Sequence, residues 1–150
     1  MRLMSFDPGK NIGVTVWEDG KLLEGYVISG MKSILEVVEK EIANGLDVVV
    51  CELFVRGVSS AEDQSTTIEL IGAIKMLSVI KNLRFVGQYP ANRVGYLPFA
   101  KELLPLKKVP AKVRRHAIDS AAHAIRFFEK ENIPWMKVNP LPNYLKGGYS

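Results

Sequence analysis

"RLMSFDPGKNIGVTVWEDGKLLEGYVIS", residues 2–29, is the stretch on which the fold turns. Three short apolar segments, RLMSF, IGVTVWE and KLLEGYVIS, are separated by two turn signals, Asp7-Pro8-Gly9 and Asp19-Gly20. An Asp-Gly pair between two runs of strand length is a hairpin signal, because both turn positions need positive φ. The spacing therefore predicts three strands in an antiparallel meander, with the middle one alternating as a half-buried strand. The first segment ends on a carboxylate. Asp7 either caps the Pro-Gly turn or is one of several acids that meet at a site, and the remainder of the chain has to decide between them.

Beyond the meander, MKSILEVVEKEIANG (31–45) carries Ile34, Leu35, Val38 and Ile42 at helical spacing and closes on Asn44-Gly45, which predicts an amphipathic helix. LDVVVCELF (46–54) is a near-continuous apolar run of strand length, suited to a central strand covered on both faces. Its first polar side chain past that run is Glu52. RGVSSAEDQ (56–64) reads as a loop, STTIELIGAIKMLSVIKN (65–82) as a helix, and LRFVGQY (83–89) as a fifth strand stopped by Pro90. A loop-rich region with Pro98, Pro105 and Pro110 leads to a last helix, AKVRRHAIDSAAHAIRFFEKE (111–131). Strands that alternate with helices after a meander predict an α/β architecture, a five-stranded mixed sheet flanked by helices. Residues 1–130 are expected to form one domain. Residues 131–150, rich in Pro and Gly, are expected to be an irregular tail that packs through Trp135 or is partly disordered.

The chain has 150 residues, 47% of them hydrophobic, enough for one core without cross-links. Its one cysteine, Cys51, lies inside the apolar run DVVVC, where a buried reduced thiol is expected. That points to a reducing compartment, and a cytoplasmic location is the expectation. No apolar run approaches the ~18 residues that span a bilayer, so no membrane partner is expected. Lys and Arg number 20 against 16 Asp and Glu, a net charge of +4 that permits nucleic-acid binding without requiring it.

Asp7 ends the first strand and Glu52 the fourth; if these strands are parallel neighbours, both acids lie at one sheet edge, where open α/β sheets bind ligands. On the last helix, at about 100° per residue, Asp119 and His123 fall within roughly 60° of His116, so one polar stripe carries His-x-x-Asp-x-x-x-His. Such a stripe can equally be the solvated face of an amphipathic helix. Carboxylates brought within a few ångströms repel one another unless a cation lies between them, so convergence of Asp7, Glu52 and Asp119 would imply bound metal. Oxygen-rich ligand sets suit Mg²⁺ or Mn²⁺, and two such ions ~4 Å apart can serve phosphodiester hydrolysis.

The motifs FDPGKNIGVTVW, VVVCE, QYPANRVG and RRHAIDSAAHAI together resemble the RuvC-type Holliday-junction resolvases of the RNase H-like superfamily, above all their compact phage and bacterial members. The likeness covers about residues 1 to 128. It implies the RNase H-like fold, with Asp7, Glu52 and Asp119 as metal-binding acids and His116 in the fourth position, where the family has either Asp or His. It further implies two Mg²⁺ or Mn²⁺ ions per site and a homodimer, each subunit cutting one of two symmetric strands of a four-way junction to leave 5′-phosphate and 3′-hydroxyl ends. Within that family the helix after the fourth strand contributes to the dimer interface, which makes TTIELIGAIKMLSVI (66–80) the interface candidate; core packing is its plainer role.

The basic excess is concentrated just before the last helix, in Lys101, Lys107, Lys108, Lys112, Arg114 and Arg115 against Glu102 alone. Phosphate contacts supply sequence-independent affinity, so this cluster, with Asn92 and Arg93 after the fifth strand, is the candidate DNA-binding surface. Phe54 and Arg56 follow Glu52 directly. Phe54 either stacks on an unpaired base or completes the core. His123 is read as a plain surface histidine. The sequence thus points to a metal-dependent endonuclease acting on branched DNA. Two other readings stand beside it: an RNase H-like nuclease of the RNA-processing branch, and a non-catalytic, structure-selective DNA-binding module. The actin and sugar-kinase fold shares Asp-x-Gly turns but needs a much longer chain.

Overall fold

The computed structural model describes residues 1–53 and 60–136. Five strands, β1 (Arg2–Asp7), β2 (Ile12–Glu18), β3 (Lys21–Ile28), β4 (Leu46–Glu52) and β5 (Arg84–Gln88), form one sheet in the order β3-β2-β1-β4-β5. The first three make the expected antiparallel meander, while β1, β4 and β5 run parallel. Asp19 (φ 48°) and Gly20 (φ 76°) both take the left-handed conformation at the β2–β3 turn, as a two-residue hairpin requires. In β2 the run Ile12–Trp17 is buried throughout, so the middle strand is covered on both faces rather than half-exposed. The alternation expected there fails because helices pack against both sides of the sheet.

On one face lie α1 (Met31–Ala43) and α2 (Ala61–Ile80), over Met4, Phe6, Val14, Val16, Val49 and Cys51. Ile34 and Val38 of α1 are buried as the periodicity requires, each worth about 1.5–3 kcal/mol of removed apolar surface. Leu35 stays 40% exposed, and the fully buried charged residue Glu41 takes a place no apolar pattern anticipates. Helix α2 begins four residues earlier than the periodicity suggested. The Ser60 side chain accepts from the Asp63 amide, and Glu62 and Asp63 occupy the first turn, a capped and charge-complemented start inside the segment read as loop.

The other face is covered by α3 (Leu97–Lys101) and α4 (Arg114–Lys130) with two short 3-10 segments, Pro90–Tyr96 and Leu104–Lys108. The Pro-rich region expected as loop is thus largely short helical turns; proline at their first positions suits a helix start. Trp135 packs edge-on against Phe99 at 5.7 Å, and the Met136 amide donates to the Gly20 carbonyl at 2.6 Å.

Small residues let α4 come close to the sheet. A Cβ on Gly13 would lie 1.9 Å from the His116 carbonyl oxygen, so the α4 backbone rests directly on β2 at that point. Ser5 Oγ donates to the Ser120 carbonyl and Ser120 Oγ to the Ser5 carbonyl, both at 2.7 Å. Thr15 Oγ1, which accepts from Trp17 Nε1, bonds Ser120 Oγ at 2.9 Å. This buried chain is fully satisfied, and it fixes the rotation of α4 relative to β1. The rotation sets which helix residues face Asp7.

Candidate active site

Asp7 and Glu52 end the neighbouring parallel strands β1 and β4; Phe6 is in register with Cys51, which brings the next residue of each strand to the same edge. The Ser120 anchor turns the first two turns of α4 over that edge. His116 Nδ1 stands 3.5 Å from Asp7 Oδ2, a long contact at the limit of hydrogen bonding. Asp119 faces the same space. Burial pushes the Asp7 carboxyl up from 3.8 to about 6; His116 opposes the rise, and the charges of Glu52 and Asp119 add to it. Burial likewise raises Asp119, with Arg93 opposing and Glu52 adding. The three acids therefore lie close enough for their charges to act on one another, although burial is the larger cause of both rises.

Arg93, expected as a phosphate contact, lies among the acids. Its Nη1 donates to Glu52 Oε2 at 3.2 Å and to the Pro90 carbonyl at 2.9 Å. Its Nε is 3.2 Å from Asp119 Oδ1, an ion-pair distance, yet the N–H is not aimed at that oxygen and the buried Nε has no hydrogen-bond acceptor. His123 is not a surface residue: it is fully buried beneath Glu52. The polar stripe on α4 faces the acid cluster instead of solvent, which is why the solvated-face reading fails there. Gln88 Nε2 donates to the His123 carbonyl at 3.1 Å, turning Gln88 Oε1 toward Nδ1 at 2.8 Å. Nδ1 therefore carries a proton. The opposite nitrogen, Nε2, lies 2.7 Å from Glu52 Oε2 with one further proton held between them, so Gln88 and His123 hold the Glu52 carboxyl from below.

Gln88 was not anticipated, because only the parallel pairing of β5 with β4 sets it opposite Glu52. Asn92 serves its own segment, with Oδ1 accepting from the Tyr89 amide at 2.8 Å. Arg114 donates to the carbonyls of Val109 and Lys107, each at 3.0 Å, and so braces the approach to α4. Lys101, Lys107, Lys108, Lys112 and Arg115 are exposed. Phe54 and Arg56 lie outside the described residues.

The donor set, three carboxylates and an imidazole, fits a hard divalent ion, and the upward shifts of Asp7 and Asp119 mark a place that positive charge would stabilise. Among the described residues, however, no three His, Cys, Asp or Glu side chains are gathered closely enough to hold one ion, and the guanidinium of Arg93 bridges Glu52 and Asp119. The acids also lie outside the cavity of about 470 Å³ formed by Gly25–Ser29 of the β3 end with Lys108–Pro110, Asn11 and Val113. Their position at an open sheet edge suits a large substrate better than an enclosed small molecule.

This arrangement is the RNase H-like α/β fold. Three solved structures share it: Thermus thermophilus RuvC in complex with a Holliday junction substrate (TM-score 0.63, 19% identity, 87% of this chain and 96% of that one); Fowlpox virus resolvase with Holliday junction DNA (0.60, 17%, 87% and 99%); and Thermus thermophilus RuvC alone (0.51, 16%, 89% and 98%). No family model matches the sequence, and no curated protein does. At these identities the likeness establishes the fold. No helix among the described residues is long and apolar enough to cross a membrane.

Proposed function

We propose that this protein is a divalent-metal-dependent endonuclease that cuts branched DNA, four-way junctions first, leaving 5′-phosphate and 3′-hydroxyl ends. What supports the reading is the placement of Asp7, Glu52 and Asp119, from β1, β4 and α4, near one sheet edge and close enough for their charges to act on one another. These acids with His116 would hold two Mg²⁺ or Mn²⁺ ions. Bound there, the ions supply activation of water and neutralisation of the leaving oxygen. The chain's own part is positional. His123 and Gln88 orient Glu52, and the Ser5–Ser120 bonds hold α4 so that Asp119 and His116 face Asp7. Exposed Lys101, Lys107, Lys108, Lys112 and Arg115 give phosphate contacts beside the site. Two of the solved structures with this fold carry junction DNA, which favours that substrate.

The substrate has two-fold symmetry, and a homodimer matches it. Helix α2 supplies the matching surface: Ile68, Met76, Val79 and Ile80 are more than half exposed. Such an apolar stripe on one helix is costly in an isolated subunit and is covered in a dimer. Free, buried Cys51 suits a reducing compartment, and we assign the protein to the cytoplasm. The test is incubation with labelled four-way junction, linear duplex and RNA hybrid, each with Mg²⁺, Mn²⁺ or chelator. Paired, metal-dependent nicks in the junction alone are expected. Binding without any cutting would make the protein a DNA-binding module, and hydrolysis of the RNA hybrid alone would move it to the RNA-processing branch.

A further inference from the structure

Arg93 lies between two of the three acids. One guanidinium spans an acid from β4 and an acid from α4, at 3.2 Å from each, in the space a divalent ion would have to enter to join them. The contact with Asp119 is an ion pair and not an aligned hydrogen bond: Nε lies 3.2 Å from Oδ1 with its N–H aimed elsewhere. Nη1 is shared with the Pro90 carbonyl of Arg93's own segment, so part of its bonding travels with the residue if the segment moves. That segment, Pro90–Tyr96, contributes no fully buried residue, and its one hydrophobic side chain packed against the core is Tyr96 at its end. The carboxylates, in contrast, sit on two strands and a helix that the core holds rigidly.

We propose that Arg93 is a displaceable counter-cation: it neutralises Glu52 and Asp119 while the site is free of metal, leaves them when divalent ions bind, and passes to a phosphate of the bound strand. The inference rests on the metal-nuclease reading above and adds a property to it. A guanidinium pairs with carboxylate and phosphate through the same donor fork and cannot serve both at once. Nucleic acid that draws Arg93 away therefore opens the site to metal, and by linkage metal tightens nucleic-acid binding by the same factor. Metal loading in the absence of DNA is held down, which restrains cutting away from the proper substrate.

The experiment measures equilibrium Mn²⁺ binding, by the loss of the free-ion paramagnetic resonance signal, for the wild type, Arg93→Gln and Arg93→Lys. Each is titrated alone and with a fully phosphorothioate-linked four-way junction, which keeps every backbone charge while resisting hydrolysis. Arg93→Gln alone should bind Mn²⁺ about tenfold more tightly than the wild type, equivalent to about 1.4 kcal/mol. Arg93→Lys, which lacks the planar fork, should fall between them. The junction should tighten Mn²⁺ binding several-fold in the wild type and leave Arg93→Gln unchanged. Equal affinity in wild type and Arg93→Gln overturns the proposal while the metal site stands. Weaker binding by Arg93→Gln, with wild-type behaviour in Arg93→Lys, also overturns it, because Arg93 would then be a fixed clamp. If circular dichroism shows Arg93→Gln unfolded, Arg93→Lys decides: binding no tighter than wild type sinks the proposal. Absence of Mn²⁺ binding in all three proteins would remove the metal-nuclease reading itself, and the inference with it.

Discussion

At the N-terminal end of β1, Glu41 is wholly buried and receives a 2.7 Å bond from Arg2 Nε, while Arg2 also pairs with Glu18 at 3.2 Å and its amide donates to Asp47 at 2.8 Å. At the C-terminal end of the same strand, Asp7, Glu52 and Asp119 crowd together, and the nearest guanidinium reaches two of them at 3.2 Å with one nitrogen misdirected. The first arrangement gives a buried carboxylate one short, direct partner on Oε2 and leaves its Oε1 without a hydrogen bond. The second leaves acids raised by burial and by one another. A buried carboxylate is therefore not in itself a sign of function; what sets the C-terminal end apart is that several acids lie close enough to raise one another.

Breaking the site end should cost activity, and breaking the other end should cost stability. The largest effect expected is on cutting: Asp7→Asn or Asp119→Asn should reduce metal-dependent junction cleavage by roughly 10³-fold or more, since each removes several kcal/mol of transition-state charge stabilisation. Gel-shift binding of the junction should persist. Full nuclease activity in either variant would take that residue out of the site. Glu41→Ala should behave in the opposite way. Leaving the partly buried Arg2 with only the more exposed Glu18 should lower unfolding stability by about 3 kcal/mol in urea melts, with cutting by the folded fraction unchanged.

Gly13→Ala probes how the site end is assembled. The new Cβ cannot fit 1.9 Å from the His116 carbonyl, so α4 must lift, at a cost of about 3 kcal/mol in stability. Because His116 and Asp119 ride on α4, nuclease activity should fall as well; an unaffected enzyme would show that α4 need not rest on β2. The smallest effect is in pH dependence. Asp7 titrates near 6 when folded against 3.8 for the free group, so between about pH 4 and 6 the unfolded chain loses a proton that the folded chain keeps. Stability in chelator should therefore decline through that window, by up to about 3 kcal/mol, and level off above it. In Asp7→Asn this part of the profile should be flat; an identical decline would assign it to another group.

The contrast between the two ends also separates what residue patterns reveal from what they hide. The hairpin at Asp19-Gly20, the strand of Val48–Cys51 and the last helix are legible because each is set by local turn chemistry and apolar period. Asp7 and Glu52 could be assigned to one edge because both end strands, and parallel pairing is enough to bring them together. The early start of α2 is hard to see because its capping residues, Ser60 and Asp63, sit in a stretch with the composition of a loop. The burial of His123 is not legible because a helical wheel gives the direction of a side chain, not whether solvent or protein lies there. The same holds for Glu41, whose partner, Arg2, is 39 residues away.

The order and type of the elements, the hairpin and the location of candidate acids at strand ends follow from the sequence by itself, because they depend on neighbours within a few residues. Tertiary structure alone decided that Arg93 spans two of those acids, that Gln88 and His123 stand beneath Glu52, and that the buried acid at the far end is closed by Arg2. Those facts depend on strand order and on the rotation of α4, which backbone close approach at Gly13 and the Ser5–Ser120 bonds set. Electrostatic energy depends on distance through space, and separation along the chain does not fix it.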